Sequence, residues 1–428
     1  MKVIVLGAGV IGVTSAYFLA RAGHQVIVLE KNFASGLGCS YANGGQLSYS
    51  HIETWAAKSS LLSLAKAAVS PNSFLSISDF SNKKFLKWAY EFYKNSSLQN
   101  SQENSRRLFR LTSHSKEVLE EILAEETDLR FDYQKRGILH FYRDRKKFDA
   151  AIKEAEFHNT IGCKAQILSA EECVKKEPTL VKIFDEKKLV GGIFYEIDAS
   201  GNCLIFTRKL EKICKEKYGV TFEYGTDVKN IFTNYKKVTG INTNRGVFVA
   251  NKYVYALGAF GVEMLRGVNV DPKIYPLKGC SLSIEANQEF MAPSLALTDP
   301  ENKIVYSRVG NIFRAAGTVE IDGFKTKKNR KHLNFLGNAI RSTFSDFGDF
   351  NTAEEWFGFR PFRPNSIPLI CEVKKYGNLL LNTGHGSLGW TLSAGSGKIL
   401  AGLVSNQPEQ NFGFLAEEAE QWGEVSPL

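Results

Sequence analysis

Unbroken runs of apolar, β-forming residues alternate with glycine turns and helical stretches along most of this chain. Residues 2–6 are an apolar run without alternation, as expected for a strand buried on both faces, and residues 25–29 are a second strand. Between them, residues 13–21 place apolar side chains at helical spacing, and Gly23 ends the helix. The first thirty residues therefore predict a strand–helix–strand unit.

The same patterns predict further elements. Helices are expected around 61–69, 82–94, 104–127, 146–160, 203–217 and 390–403. Strands are expected at 137–142, 191–195, 220–224, 228–232, 247–249, 252–256 and 379–381, with another β-rich block over 272–320. No repeat, low-complexity segment or free linker separates these elements, so we expect domains that interleave in sequence.

A glycine motif follows the first strand. Gly7, Gly9 and Gly12 form G-x-G-x-x-G, which permits a tight turn, close approach of a pyrophosphate and close helix packing. The following helix offers free N–H groups and a positive dipole end to phosphates. Glu30 ends the second strand, where its carboxylate can accept hydrogen bonds from ribose hydroxyls and would repel a 2′-phosphate. The unit predicts dinucleotide binding and disfavours NADP, and leaves FAD and NAD open.

Composition and charge refine this picture. The 428 residues suggest two or three domains, and 43% hydrophobic with 23% charged residues is ordinary for a globular protein. The net charge of +9 suits an acidic partner such as an anionic membrane surface, or is merely a slightly basic solvated surface. Seven cysteines without C-x-x-C spacing indicate no metal site, no disulfide framework and a reduced cytoplasmic compartment. No apolar run is long enough to span a bilayer.

Several motifs together resemble the D-amino acid oxidase family of flavoproteins, and most closely the bacterial dehydrogenases within it. They are the unit over 3–30, the loop Ser40-x-Ala42-Asn43-x-Gly45-Gln46, and residues 275–279, 358–361 and 381–391. The likeness runs to about residue 405, and the tail beyond it has no clear counterpart.

The resemblance implies an α/β fold in which a Rossmann-like FAD-binding domain interleaves with an α+β substrate domain built on an antiparallel sheet. We assign residues 1–85, 165–262 and 352–428 to the FAD-binding domain, and residues 86–164 and 263–351 to the substrate domain.

The resemblance also implies roles for four candidate catalytic residues. Arg360 is expected to hold the substrate carboxylate, because a planar guanidinium binds a carboxylate through two charge-assisted hydrogen bonds. The alternative is a structural ion pair. Tyr275 and Lys278 are candidates for the wall of the substrate cavity, and His385 is either chemically active or packs beside the flavin.

FAD is expected to bind without a covalent link, since residues 383–391 include no cysteine. This loop precedes a helix whose N–H groups and dipole would stabilise negative charge near flavin N1. The residues expected to contact FAD are Gly7, Gly9, Val10, Ile11, Gly12, Glu30, Lys31, Ser40, Ala42, Asn43, Gly45, Gln46, Val228, Gly258, Gly384, His385, Gly386, Ser387, Leu388, Gly389, Trp390 and Thr391.

The activity implied is oxidation of small D-amino acids, such as D-alanine or D-proline, by hydride transfer from the α-carbon to flavin N5. Water would hydrolyse the imino acid to a 2-oxo acid and ammonia. A quinone or another respiratory carrier is the expected electron acceptor, reached by peripheral attachment to the inner face of the cytoplasmic membrane. The basic segment 325–331 is a candidate contact with anionic lipid.

Three alternatives remain open at this level. An oxygen-using glycine, sarcosine or D-amino acid oxidase shares the fold. A flavoprotein that modifies tRNA would suit the basic charge, but no second tRNA-modifying domain is present and we expect no nucleic-acid partner. A non-catalytic FAD-binding protein is disfavoured by the intact motif over 358–361.

Overall fold

A computed structural model of the chain describes residues 1–55, 70, 73–78, 81–286, 292–345 and 348–422. The helix expected at 61–69 lies outside the described residues. The other long helices are present close to their expected positions. The helix expected from residue 104 begins earlier, at Leu98, because the Ser97 hydroxyl accepts a hydrogen bond from the Asn100 N–H and caps it there.

The described strands and helices follow in chain order. The strands are β1 Lys2–Leu6, β2 Gln25–Leu29, β3 Gln46–Leu47, β4 Leu75–Ile77, β5 Ile138–Tyr142, β6 Ala165–Ser169, β7 Gly191–Tyr195, β8 Ala199–Ser200, β9 Thr221–Glu223, β10 Val228–Asn234, β11 Lys237–Thr243, β12 Gly246–Phe248, β13 Lys252–Tyr255, β14 Tyr275–Glu285, β15 Ala296–Asp299, β16 Ile304–Val309, β17 Ile312–Ile321, β18 Glu354–Phe362, β19 Leu369–Val373 and β20 Tyr376–Thr383. The α-helices are α1 Val10–Arg21, α2 Lys83–Lys94, α3 Leu98–Glu125, α4 Arg145–Thr160, α5 Ala170–Lys176, α6 Val181–Asp185, α7 Cys203–Tyr218, α8 Val262–Gly267, α9 Arg330–Thr343, α10 Gly389–Val404 and α11 Phe414–Trp422.

The first large sheet is Rossmann-like. Its six strands run in the order β19-β20-β13-β1-β2-β9, and every neighbouring pair is parallel except β19 with β20. Val3 and Val5 pack with α1 and α10 on one face, whereas Ile4 and Leu6 pack with β10 and β11 on the other. Burial on both faces explains why β1 is apolar at every interior position. The expected dinucleotide-binding unit is confirmed.

The second large sheet has nine strands and is mostly antiparallel. Its order is β18-β14-β17-β16-β15-β5-β7-β6, with β4 paired to β17. Its strands come from several separate segments of the chain. Strands β4, β7 and β18 lie in segments assigned to the FAD-binding domain, yet they pair with substrate-domain strands. Strand β6 joins the same sheet through β7. The interleaved fold is confirmed, and the boundaries at 85, 165 and 352 stay a prediction.

The C-terminal tail is part of the core. Phe414 and Leu415 of α11 join the main hydrophobic cluster. Glu418 is only 2% exposed, and its carboxylate pairs with Arg363 and Arg107, each at 3.3 Å. Asn365 Nδ2 donates to the same carboxylate at 2.6 Å. The tail therefore neutralises a buried arginine and is more than a surface cap.

Two features bear on membrane contact. Among the described residues, no helix combines the length and the apolar character needed to cross a bilayer. The basic residues of segment 325–331 are exposed, and two of them, Lys328 and Arg330, form ion pairs with Glu355.

Helix α10 lies directly against the backbone of two other helices. A Cβ placed on Gly397 would stand 2.8 Å from the Thr14 carbonyl of α1, and one on Gly395 would stand 2.9 Å from Ser115 Cα of α3. Only glycine permits these crossings, which set the position of the N-terminus of α10.

We expect Gly397→Ala to lower stability by about 1–3 kcal/mol, because the added methyl group forces α1 and α10 apart. The matched control is Gly267→Ala in α8, where a Cβ meets no atom within 4 Å. The measurement is the denaturant midpoint of both FAD-loaded variants. Equal midpoints in the two variants would contradict the close crossing.

Candidate active site

A cavity of about 760 Å³ starts at the carboxyl ends of the parallel strands and continues along the nine-stranded sheet. Its walls include Gly7 after β1, Glu30 after β2 and Gly258 after β13, facing Thr318 and Arg360 of the second sheet. Carboxyl ends of parallel strands are the usual ligand site of such folds, and this volume is typical of small-molecule sites.

The turn after β1 is built from close backbone contacts. Gly7 has φ +99°, and a Cβ on Gly12 would lie 1.9 Å from the Gly7 carbonyl oxygen. Glu30 ties this turn to the end of β2, since its carboxylate accepts hydrogen bonds from the Ala8 and Asn32 N–H groups, each at 2.8 Å. Gly9 lies beside the cavity, and even a Cβ added there would have no protein neighbour closer than 3.6 Å. This open, N–H-rich turn suits a pyrophosphate.

The loop around residue 44 lies flat on the nine-stranded sheet. A Cβ on Gly44 would stand 2.4 Å from the Val305 side chain. Asn43 Oδ1 accepts the Gly45 N–H at 3.0 Å, and Gln46 Nε2 donates to the Leu297 carbonyl at 2.9 Å. Asn43 and Gln46 therefore shape the loop and fix it to the sheet, while their outer surfaces line the cavity.

The loop before α10 closes another part of the cavity. His385 is 3% exposed and its Nε2 lies 2.9 Å from the Ser396 hydroxyl. Burial lowers the pKa of His385 to about 3, so the imidazole is neutral near pH 7. Thr391 Oγ1 accepts the Ser48 N–H at 3.0 Å and joins the two loops. These contacts favour packing over acid–base chemistry for His385.

Nearly all of the residues expected to contact FAD line this one cavity. Gly12 and Gly384 are the two that do not. Gly12 lies beneath the first turn, and a Cβ on Gly384 would stand 2.6 Å from the Arg363 side chain. Both glycines therefore allow the backbone to pass close to other protein atoms and do not contact the cavity. The remaining residues form an elongated cradle of glycines, backbone N–H groups and one carboxylate, and this cradle fits FAD.

Arg360 faces the cavity without an acidic partner. Its Nη1 donates to the Thr318 carbonyl at 2.9 Å and its Nη2 to the Gly317 carbonyl at 3.3 Å. A Cβ on Gly279 would lie 2.2 Å from the guanidinium, so glycine makes room for it. Across the described ranges no carboxylate forms an ion pair with Arg360. Burial lowers its pKa, although an arginine remains charged at neutral pH.

Two expected cavity residues lie elsewhere. Tyr275 packs against Phe85 and Trp88, with ring centroids 5.5 and 6.0 Å away, and Lys278 Nζ pairs with Glu320 at 3.1 Å and Asp322 at 2.9 Å. Neither side chain lines the cavity.

A register shift in the β14–β17 pairing between Lys278 and Cys280 accounts for the placement of Lys278. Such a β-bulge changes the direction of the neighbouring side chains. Gly279 and Cys280 line the cavity, and Lys278 does not. Burial lowers the pKa of Lys278, but its hydrogen bonds to the two carboxylates together have the larger, opposite effect. The pKa of Lys278 therefore lies above the ordinary value. Lys278 is therefore a structural cation.

Sequence reasoning missed the far part of the cavity. It is lined by His51, Glu53, His140 and Glu154, which come from separate elements with no spacing motif. Glu154 borders the open cavity, where desolvation by the cavity wall and the charge of Glu53 raise the pKa of its carboxyl group to about 9. Burial lowers the pKa of His140 to about 3. The one local signal is the four-residue spacing of Glu154 and His158 on α4.

Comparison with solved structures shows the same fold. Glycine oxidase from Geobacillus kaustophilus superimposes with a TM-score of 0.75 at 21% identity, covering 100% of this chain and 99% of that one. L-proline dehydrogenase from P. horikoshii gives a TM-score of 0.70 at 15% identity, covering 96% of this chain and 94% of that one.

Comparison with known sequences gives closer relatives. A D-amino acid dehydrogenase of Paramagnetospirillum magneticum is 38% identical over 409 residues, 95% of this chain and 96% of that protein. One of Vibrio vulnificus is 33% identical over 411 residues, 96% of this chain and 97% of that protein. The FAD dependent oxidoreductase family matches residues 2–403. The resemblance in the motifs is thus confirmed, and the chain belongs to the family of FAD dependent oxidoreductases.

Proposed function

We propose that this flavoprotein oxidatively deaminates D-amino acids to 2-oxo acids and ammonia and passes the electrons to a quinone or another respiratory acceptor. The observation that carries the proposal is the guanidinium of Arg360, a half-buried residue that faces the cavity with no acidic partner among the described residues. A partly desolvated cation without a counter-ion favours an anionic ligand. The D configuration and the dehydrogenase chemistry rest on the names of the relatives.

In this proposal the chain acts chiefly by orientation. Arg360 binds the substrate carboxylate, and the carbonyls of Gly317 and Thr318 hold the guanidinium in place. Bound FAD supplies a two-electron acceptor for the hydride of the α-carbon. The N-terminus of α10, at Gly389, lines the cavity and stabilises negative charge there. His385 stays neutral and packs, and the substrate amine binds unprotonated, so no general base is required.

Contact with an anionic membrane surface is the finer part of the proposal. Lys325, Lys327 and Lys331 are exposed and form no ion pair within the described ranges. Each basic residue near an anionic surface contributes about 1 kcal/mol, so this segment supports peripheral attachment close to a membrane quinone.

The activity test is anaerobic. D-alanine, D-proline, L-proline, glycine and sarcosine are added separately to the FAD-loaded protein, and loss of the flavin absorption band is followed. The proposal expects bleaching by the D-amino acids, slow reoxidation by air and fast reoxidation by a quinone analogue. Fast air reoxidation with peroxide would make the protein an oxidase. No bleaching by any compound would overturn the proposal and direct attention to tRNA binding, which should then depend steeply on salt.

Arg360→Leu should raise the KM for the D-amino acid by about 100-fold or more, because two charge-assisted hydrogen bonds to the carboxylate are lost. FAD should remain bound, which the flavin spectrum reports. Arg360→Lys keeps the positive charge but loses the planar guanidinium, so its KM should lie between those of the wild-type protein and Arg360→Leu. An unchanged KM in Arg360→Leu would remove the assigned role.

Lys278→Met should leave KM unchanged and lower stability by about 3–5 kcal/mol, since it strands Glu320 and Asp322 without their buried cation. The control is Lys331→Met, which removes the same positive charge from an exposed position. Denaturant midpoints and steady-state kinetics of the FAD-loaded fractions are compared. If Lys278→Met instead raised the KM and kept wild-type stability, Lys278 would have a role in substrate binding.

A further inference from the structure

The far part of the cavity holds a cluster of side chains that the proposed reaction does not use. Glu53, Glu154 and His158 each offer one donor atom, and these three atoms lie within 4.8 Å of one another. Glu154 and His158 are one turn apart on α4 and project to the same side of the helix. Glu53 reaches the same point from the segment after β3. Three donors from two separate segments therefore converge.

Glu53 and Glu154 lie close enough for a hydrogen bond between their carboxyl groups, and the nearby positive charge of Lys303 acts on both carboxyl groups. Within the part of the chain that the structure describes, neither Glu53 nor Glu154 forms an ion pair. Lys303 lines the same cavity, yet it too makes no ion pair with them. Two carboxylates at this separation repel each other, so the arrangement is favourable only with a proton or a metal cation between them. A metal cation neutralises both carboxylates, whereas a proton neutralises one.

The histidines around the cluster point to a ligand independently. His158 Nδ1 lies 3.0 Å from the Tyr195 hydroxyl, which orients the ring and leaves Nε2 as the nitrogen for a further bond. A ligand imidazole is usually fixed in this way through its second nitrogen. His140 is only 6% exposed and lines the cavity, and its ring nitrogens have no hydrogen-bond partner among the described residues.

We propose that Glu53, Glu154 and His158 bind a divalent transition-metal ion of the Zn²⁺ or Mn²⁺ type. Two carboxylate oxygens and one imidazole nitrogen suit such an ion better than Ca²⁺ or Mg²⁺, which take oxygen ligands. Metal–ligand bonds of about 2.0–2.2 Å place donor atoms roughly 3–4 Å apart, within the observed spread. His51 and His140 line the same cavity as Glu53 and Glu154. Arg360 is not one of the three proposed ligands, and metal binding to them does not depend on the proposed activity.

The test uses the FAD-loaded protein after treatment with a chelator. ZnCl₂ and MnCl₂ are titrated in by calorimetry, and metal content after dialysis is measured by mass spectrometry. We expect saturable binding of about one ion per chain, weakened at least about tenfold in Glu154→Gln and in His158→Gln, each of which loses one of three ligands. Glu156→Gln is the matched control, since Glu156 is exposed on the same helix and lies outside the cluster.

Folding is monitored by the flavin spectrum and the melting temperature. Glu154 borders the open cavity and is not packed in the core, so we expect Glu154→Gln to fold. This variant tests the proposal even if His158→Gln does not fold. Absence of saturable binding of either ion to the wild-type protein would overturn the proposal and leave a shared proton as the balancing charge. Equal affinity in wild type, Glu154→Gln and Glu156→Gln would overturn it as well, because the metal would then bind elsewhere.

Discussion

The direct contact of backbone with backbone at glycines is the constraint on which the rest of this structure depends. Gly12 touches the Gly7 carbonyl and brings the start of α1 under the first turn, and Gly397 brings α10 against α1. Because α10 carries the 384–391 loop at its N-terminus, these two contacts fix the distance between the turn after β1 and that loop. Both ends of an FAD-sized cradle therefore follow from positions where no side chain fits.

The buried cations show how the fold separates structural charge from functional charge. Lys278 is matched by Glu320 and Asp322, and Arg363 by Glu418 from the C-terminal helix. Among the described residues, main-chain carbonyls alone accept hydrogen bonds from Arg360, so its charge is directed to the cavity. A paired buried ion stabilises its surroundings, whereas an unpaired one is a binding site for the opposite charge.

Most of the architecture could be predicted from the sequence, but the long-range pairing of the strands could not. Strands and helices depend on local periodicity, and the turn after β1 depends on its own glycines, so these elements lie at the expected positions. The pairing of β7 with β5 and of β18 with β14 joins segments that are far apart in the chain, and no local pattern indicates it. For that reason the set of strands that forms the nine-stranded sheet became known only from the structure.

The sequence by itself determined the dinucleotide-binding unit, the loops that form the cradle and the arginine that faces its cavity. Each of these is a contiguous motif whose chemistry depends on near neighbours in the chain. Only the tertiary structure decided that Lys278 is structural and that Glu53, Glu154 and His158 converge. The physical reason is the same in both cases, since the partners that set a side chain's charge and accessibility come from segments far away along the chain.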